Sequence, residues 1–154
     1  MGANRIRVAK DKAELVKSLV VSESSTGPFQ TYADAMVFAA ALGAKRKKRS
    51  PLGTIAKEPS PIALEVFVSR WYDRVLKLLA IAETQDTKIL SPTDEIAEEK
   101  RIHIFEEYAN GGLDILRDEL RGAVDYSERL LLILTSERFK KEVPQESFDL
   151  RRFL

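Results

Sequence analysis

Residues 31–49, TYADAMVFAAALGAKRKKR, join a nearly all-apolar stretch to five consecutive cations. The apolar part needs burial, whereas five adjacent cations cannot be buried together without anions. Thr31 and Asp34 form a T-x-x-D start, in which the threonine oxygen accepts an orphan amide hydrogen at the helix N-terminus. Gly43 is a typical helix stop. The segment therefore predicts a packed helix from Thr31 to Gly43, followed at once by a basic loop.

The cations of this basic run are Lys45, Arg46, Lys47, Lys48 and Arg49. On a helix they would spread round all sides at about 100° per residue and repel one another, so we expect them on an extended loop. Such a loop can follow a phosphate backbone, which makes DNA the expected partner. Two alternatives are an acidic surface of the same or a neighbouring molecule, and a solvated loop without a partner.

Composition limits the classes of protein that fit. The 154 residues suffice for one ordinary domain, or for a small module joined to a helical one. Lys plus Arg (25) and Asp plus Glu (24) leave a formal charge of +1, so attraction to DNA has to come from local clustering. Residues 1–57 carry most of the unpaired basic charge, and residues 83–125 carry the acidic excess.

Cellular location follows from what the sequence does not contain. It has no cysteine, which excludes disulfides, thiolate nucleophiles and cysteine metal sites and fits a reducing compartment. No apolar run approaches the ~20 residues that span a bilayer, and the N-terminal residues lack the apolar middle of a secretory signal. We therefore expect a cytoplasmic protein with no membrane partner.

The N-terminal residues alternate and then change period. Arg5 to Val8 alternate charged and apolar side chains, which predicts one short strand with both arginines on one face. From Asp11 to Val20 the apolar residues recur at spacings of three and four, as in an amphipathic helix. The stretch from Ser22 to Gln30 is rich in turn formers and ends this helix.

The rest of the chain predicts a connector and further helices. Residues 50–61, with three prolines, form a linker or an ordered connector and a candidate module boundary. The expected elements after it are a helix capped at Ser60 that runs to about Thr84, a helix from Ser91 that Asn110-Gly111-Gly112 ends or bends sharply, a helix around Leu113 to Leu120, a buried helix from Tyr126 to Phe139, and an irregular tail from Val143 onward.

Residues with catalytic or metal-binding potential are few. His103 is the one histidine, and Glu99 and Glu106 share a helical face with it, a spacing that fits a surface ion pair better than a metal site. Phosphate-binding glycine motifs and nucleophile elbows are absent from the sequence, so we predict no catalytic residue, no metal and no cofactor. Trp71 and Tyr72 are expected in a core or an interface, with base stacking as the alternative.

The order of short strand, amphipathic helix, turn and apolar helix resembles the ribbon-helix-helix family of DNA-binding modules over the first ~45 residues. The resemblance implies that two chains pair their strands into a ribbon that enters the major groove. Arg5 and Arg7 would then face the groove, and Thr31 would cap a helix end that approaches phosphate. The stretch from Ser22 to Gln30 is longer than the turn of that family, and a solvated N-terminal segment is the alternative interpretation.

Two segments carry a second resemblance, which covers nearly the whole chain. PFQTYADAMVFAAALGAKRKKR at 28–49 and FEEYANGGLDIL at 105–116 resemble the small accessory proteins encoded with bacterial DNA phosphorothioation (Dnd) systems. The resemblance implies association with the machinery that replaces a nonbridging phosphate oxygen of DNA by sulfur, or with the linked restriction proteins. It transfers no catalytic residue to this chain.

Together these observations predict a mainly α protein. A ribbon-helix-helix-like module with the basic run (residues 1–50) would pack with a C-terminal helical bundle (59–154), or the two would form one compact domain. The predicted function is a DNA-binding accessory or regulatory protein of a phosphorothioate modification or restriction system. The alternative is a protein-interaction subunit that touches no DNA. We also expect a homodimer, because the helix from Tyr32 to Leu42 needs cover from the C-terminal helices, another subunit or both.

Overall fold

The computed structural model describes residues 4–23 and 25–139. The tail that the sequence predicts as irregular from Val143 onward lies outside these residues. The elements in chain order are β1 (Arg5–Ile6), α1 (Ala13–Leu19), β2 (Val21–Ser22), β3 (Ser25–Thr26), α2 (Tyr32–Lys45), β4 (Ile62–Ala63), α3 (Leu64–Ser69), α4 (Asp73–Thr84), α5 (Glu95–Glu119) and α6 (Tyr126–Phe139), with short 3₁₀ turns at Lys10–Lys12 and Thr87–Leu90. The expectation of a mainly α fold with a short N-terminal strand is confirmed.

The close packing of α2 against α5 organises the core. Gly43 of α2 and Gly112 of α5 lie where the two helix backbones approach each other, and Gly111 lies against the backbone of Lys48, just beyond the end of α2. A Cβ atom at Gly112 would overlap the carbonyl oxygen of Ala39 on α2, so only glycine fits there. Cover for α2 therefore comes from a C-terminal helix of the same chain.

The prediction that Asn110-Gly111-Gly112 ends or bends the helix was wrong. One α-helix continues from Glu95 to Glu119, and residues around Leu113 are part of it. Glycine weakens an isolated helix by about 1 kcal/mol, but here its missing side chain permits the contact with α2. The start was also placed too early, since Asp94 caps the helix by accepting from the amides of Ile96 and Ala97.

The helix predicted from Ser60 to Thr84 is two helices. Ile62–Ala63 pairs as β4 with β1, so the chain after Pro61 is extended. α3 then stops at Ser69 and α4 starts at Asp73, with Trp71 between them in the left-handed backbone region at φ 64°. The sequence there contains no glycine or proline, so nothing local marked the break.

β1 pairs with β4 of the same chain. Arg5 pairs with Ala63 and Ile6 with Ile62 in antiparallel register, and the connector continues along the N-terminal segment through a hydrogen bond from the Ala56 amide to Val8. The connector is therefore ordered. The ribbon-helix-helix family pairs this strand across two chains, so the intramolecular pairing does not confirm that resemblance.

The predicted modules share apolar contacts. A single cluster of buried side chains includes Ile6 and Met36 before the connector and Phe67, Phe105 and Ile133 after it. The division at residues 50–59 stays a prediction about folding units. The prediction of a fully buried last helix was wrong, because α6 buries Leu130 and Ile133 but exposes three leucines, Leu131, Leu132 and Leu134.

Candidate functional site

The basic run begins inside α2 and then turns back over α5. α2 continues to Lys45, two residues past the predicted stop at Gly43. Lys47 takes a left-handed conformation at φ 54°, and the Lys48 amide donates to the carbonyl oxygen of Gly43 at 2.8 Å. This turn closes the helix C-terminus in the way that an αL residue usually does. The basic run is thus a tight turn that caps α2, followed by a short segment that passes over α5. The expectation of an extended loop was wrong.

Arg46 joins two helices that are distant in sequence. Its Nη2 lies 2.8 Å from Oε1 of Glu137 on α6, and its Nη1 lies 3.4 Å from Oε1 of Glu119 at the end of α5. One guanidinium is therefore engaged by two carboxylates of the same chain.

Arg49 is paired in the same way. Its Nε donates to Glu107 on α5 at 2.7 Å, and its Nη1 donates to Glu83 on α4 at 2.8 Å. The Tyr108 hydroxyl also donates to Glu83, and this hydrogen bond is the main reason that the pKa of Glu83 is lowered and the pKa of Tyr108 is raised. The run is anchored at both arginines by the acidic half of the chain.

The lysines of the run are more accessible. Lys45, Lys47 and Lys48 are exposed, and Lys48 Nζ lies 4.0 Å from Oδ2 of Asp114. Lys47 lies at the tip of the turn. The surface that the run offers to an external polyanion is therefore made mainly of lysines rather than of five free cations.

The two N-terminal arginines lie on one face, as predicted, while Ile6 and Val8 are buried on the other. Arg7 makes a bidentate contact with Glu106, with Nε and Nη2 both 3.0 Å from its carboxylate oxygens, and the Arg7 amide donates to the same group at 2.7 Å. These bonds raise the pKa of Arg7 and satisfy a carboxylate that is only 1% exposed. Arg5 donates to the carbonyl oxygen of Pro61 at 3.3 Å.

Arg7 and Arg49 are held by consecutive glutamates of α5, Glu106 and Glu107. Glu106 lies in a groove of about 700 Å³. The groove is also lined by Arg5, Arg7, Glu99, Lys100 and His103. Consecutive helix positions point about 100° apart, so the groove and the run lie on adjoining sides of α5. One arginine of each predicted set of cations, Arg7 and Arg49, is thus bound by the same acidic turn of α5.

Thr31 caps α2 as predicted, since its Oγ1 accepts from the Asp34 amide at 3.2 Å. The same helix end already holds a carboxylate: Asp34 accepts from the Tyr72 hydroxyl at 2.6 Å and from Arg70 at 3.1 Å. Burial raises the pKa of Asp34, but the hydrogen bonds from Tyr72 and Thr31 and the Arg70 charge outweigh it, and the net pKa is lowered. The end of α2 therefore serves as an anchor for the α3–α4 junction.

Trp71 is the residue of this junction whose exposure the sequence did not reveal. Its side chain is 68% exposed, while Arg70 and Tyr72 on either side are both bound to Asp34. The guanidinium of Arg74 lies 4.8 Å from the centre of the indole ring. A core position for Trp71 was thus wrong, and interface or base-stacking roles are the ones its exposure allows.

A buried lysine was also missed. Lys12 is 1% exposed, and its Nζ lies 2.7 Å from Asp114, 3.1 Å from Asn110 and 3.2 Å from Asp11. Ser50 donates to the other oxygen of Asp114 at 2.8 Å, so this network fixes the segment after the basic run onto α5. Its members are far apart in sequence, and no local pattern signals their meeting.

His103 Nε2 lies 3.2 Å from Oε2 of Glu107, one turn along α5, so the carboxylate that His103 contacts is that of Glu107 rather than those of Glu99 and Glu106, which the spacing had suggested. Within residues 4–23 and 25–139, His, Asp and Glu side chains form no group of three that could hold a metal ion. In that same part of the chain, every helix is too short or too polar to cross a bilayer.

Comparison with known proteins shows which family the chain belongs to. No curated protein and no solved structure matches it. One family model matches residues 5–153, which is nearly the full length. The chain belongs to the family of DNA sulphur modification system-associated protein 4.

Proposed function

We propose that this protein is a protein-interaction subunit of its DNA sulphur modification system and that Trp71 is the centre of the contact with its partner. The observation that carries the proposal is the presentation of Trp71, a large apolar side chain that is held in solvent. Tryptophan and arginine are the residues most enriched at energetic centres of protein interfaces, and Arg70 and Arg74 flank this one.

The backbone at Trp71 supports a role beyond folding. A left-handed conformation costs a bulky residue about 1–2 kcal/mol, and such strain concentrates at functional sites. Here the strain is balanced by the hydrogen bonds of Arg70 and Tyr72 to Asp34. Val66 and Val68 on α3 are further exposed apolar side chains close to Trp71 in sequence.

The pairing of the basic run is the reason to prefer a protein partner to DNA. Arg46 and Arg49 already bind four carboxylates, which they would have to release before they could bind phosphate. With a formal charge of +1, the whole molecule supplies little further attraction to DNA.

The test uses the full chain and the separately purified proteins of the same modification system. Trp71 is the only tryptophan, so fluorotryptophan incorporated into this chain gives one fluorine NMR resonance. We expect that resonance to shift and broaden on addition of the partner, and Trp71→Ala to weaken co-purification at least tenfold. Leu78→Ala, at an exposed apolar residue on α4, is the matched control and should bind normally. Binding that survives Trp71→Ala would overturn the proposal.

The second candidate is the DNA-binding accessory role, and the exposure of the run's lysines favours it. In this hypothesis Lys47 and Lys48 touch phosphate first, with Lys45, Arg46, Arg49, Arg5, Arg7 and Thr31 as the remaining proposed DNA-contacting residues. Two phosphate contacts would give a log–log salt slope of about −1.8, whereas five would give about −4.5. A duplex titration at several salt concentrations measures the slope, and the absence of binding at low salt would remove this candidate.

A further inference from the structure

We propose that the exposed face of α6 joins two copies of this chain through an antiparallel helix pair. The face consists of Glu128, Leu131, Leu132, Thr135, Arg138 and Phe139, all of them exposed. These residues recur at spacings of three and four, so they form one stripe, opposite the side that buries Leu130 and Ile133. We call this stripe the α6 face.

The α6 face is more apolar than a solvated helix surface. Leu131 is 64% exposed and Leu132 is 55% exposed, at the middle of a helix whose ends are charged. Adjacent exposed leucines in mid-helix are typical of a helix that packs on another helix. A dimer contact through α2 is not needed, because α5 of the same chain covers α2.

The charges of the α6 face identify the occupant as a second copy in antiparallel orientation. Glu128 lies near the start of the helix and Arg138 near its end, ten residues or about 15 Å apart. In an antiparallel pair centred at the level of Ile133, Glu128 of each copy lies opposite Arg138 of the other. A two-fold axis repeats this pair at both ends, so one helix is complementary to itself. A parallel pair would instead place Glu128 against Glu128.

The experiment measures the mass of the full chain in solution by light scattering and by sedimentation over a range of concentrations. We expect a reversible dimer in the wild type. Leu132→Glu should weaken the dimer at least a hundredfold, because it places two carboxylates in an apolar seam. Leu78→Glu, at a leucine on α4 that is at least as exposed as Leu132, is the matched control and should leave the dimer intact. A wild-type protein that is monomeric at every concentration would overturn the proposal.

Charge reversal tests the antiparallel register. Glu128→Arg alone and Arg138→Glu alone should each weaken the homodimer about tenfold or more, since each brings like charges together at both ends. An equimolar mixture of the two variants should dimerise like the wild type, because opposite charges then face each other at both ends of the mixed pair. Failure of the mixture to dimerise, with circular dichroism showing that both variants are folded, would contradict the antiparallel pairing.

Discussion

The guanidinium of Arg46 lies 2.8 Å from the carboxylate of Glu137, and so a cation of the basic run holds the last described helix to the body of the protein. α6 itself buries just two large apolar side chains, Leu130 and Ile133. Because this apolar contact is small, the Arg46–Glu137 ion pair can contribute a substantial part of the free energy that holds α6 in place. The basic run therefore has a structural role, because Arg46 attaches α6 to the rest of the protein.

Arg46→Gln should loosen α6 while the rest of the fold stays intact. The change removes the partly buried ion pair with Glu137 and the more exposed one with Glu119, so we expect a loss of about 1 kcal/mol or more in the free energy of unfolding. Hydrogen exchange measured by mass spectrometry should accelerate in α6 peptides more than in α5 peptides. Lys47→Gln, at the exposed tip of the turn, is the control. If hydrogen exchange in α6 accelerated equally in both variants, Arg46 would not be what attaches α6.

Gly112→Ala should destabilise the protein by about 3 kcal/mol or more, because the added methyl group would overlap the carbonyl oxygen of Ala39 and push α2 away from α5. In an isolated helix this change is favourable by about 1 kcal/mol. A loss of stability would therefore show that Gly112 is needed for the contact with α2, whereas a gain would show that it is not. Urea denaturation measures the effect. Gly122→Ala is the comparison, because it meets no neighbouring atom and is strained only by its positive φ of 76°.

Local chemistry explains which parts of the fold could be predicted from the sequence. The cap at Thr31, the alternation from Arg5 to Val8 and the helical period after Asp11 depend on near neighbours in the chain, and the structure contains all three. The role of Gly112 depends on the backbone of α2, which lies far earlier in the sequence. A glycine that permits close packing and a glycine that ends a helix look alike in one sequence.

The candidate sites show the same limit. The basic run was recognisable, but its partners Glu107, Glu119 and Glu137 are brought to it by folding, so its net effect on the surface could not be read from residues 45–49. Trp71 stood in an apparently helical stretch, and its exposure follows from the anchoring of its neighbours on Asp34.

Asp114→Asn should reduce stability at neutral pH and matter less in acid. Burial raises the pKa of Asp114, but hydrogen bonds from Lys12 and Ser50 outweigh it and the net pKa is lowered. An unfolded aspartate binds its proton at about pH 4, so the folded state gains stability above that pH and loses it as pH falls through the lower folded value. At pH 7 we expect a cost of about 3 kcal/mol, since the buried Lys12 loses its nearest anion.

Urea denaturation of wild type and variant at pH 7 and at about pH 3 checks this prediction. The difference between the two proteins should shrink at the lower pH, because the Asp114 carboxylate of the unfolded wild type binds a proton there, and folding to the ionised form gains less. Asp118→Asn is the matched control, since its pair with Arg121 is exposed and contributes little. A difference that stays constant with pH would mean that the charge of Asp114 is not what stabilises the fold.

Replacement of Trp71 should separate stability from partner binding. At φ 64° glycine is unstrained and alanine is not, so Trp71→Gly should be more stable than Trp71→Ala by about 1 kcal/mol, the reverse of their order in a helix. Urea denaturation measures this order, and co-purification measures the partner. We expect both variants to lose the partner, because both lack the indole. A more stable alanine variant would contradict the left-handed conformation, whereas a glycine variant that still binds would show that the contact lies elsewhere.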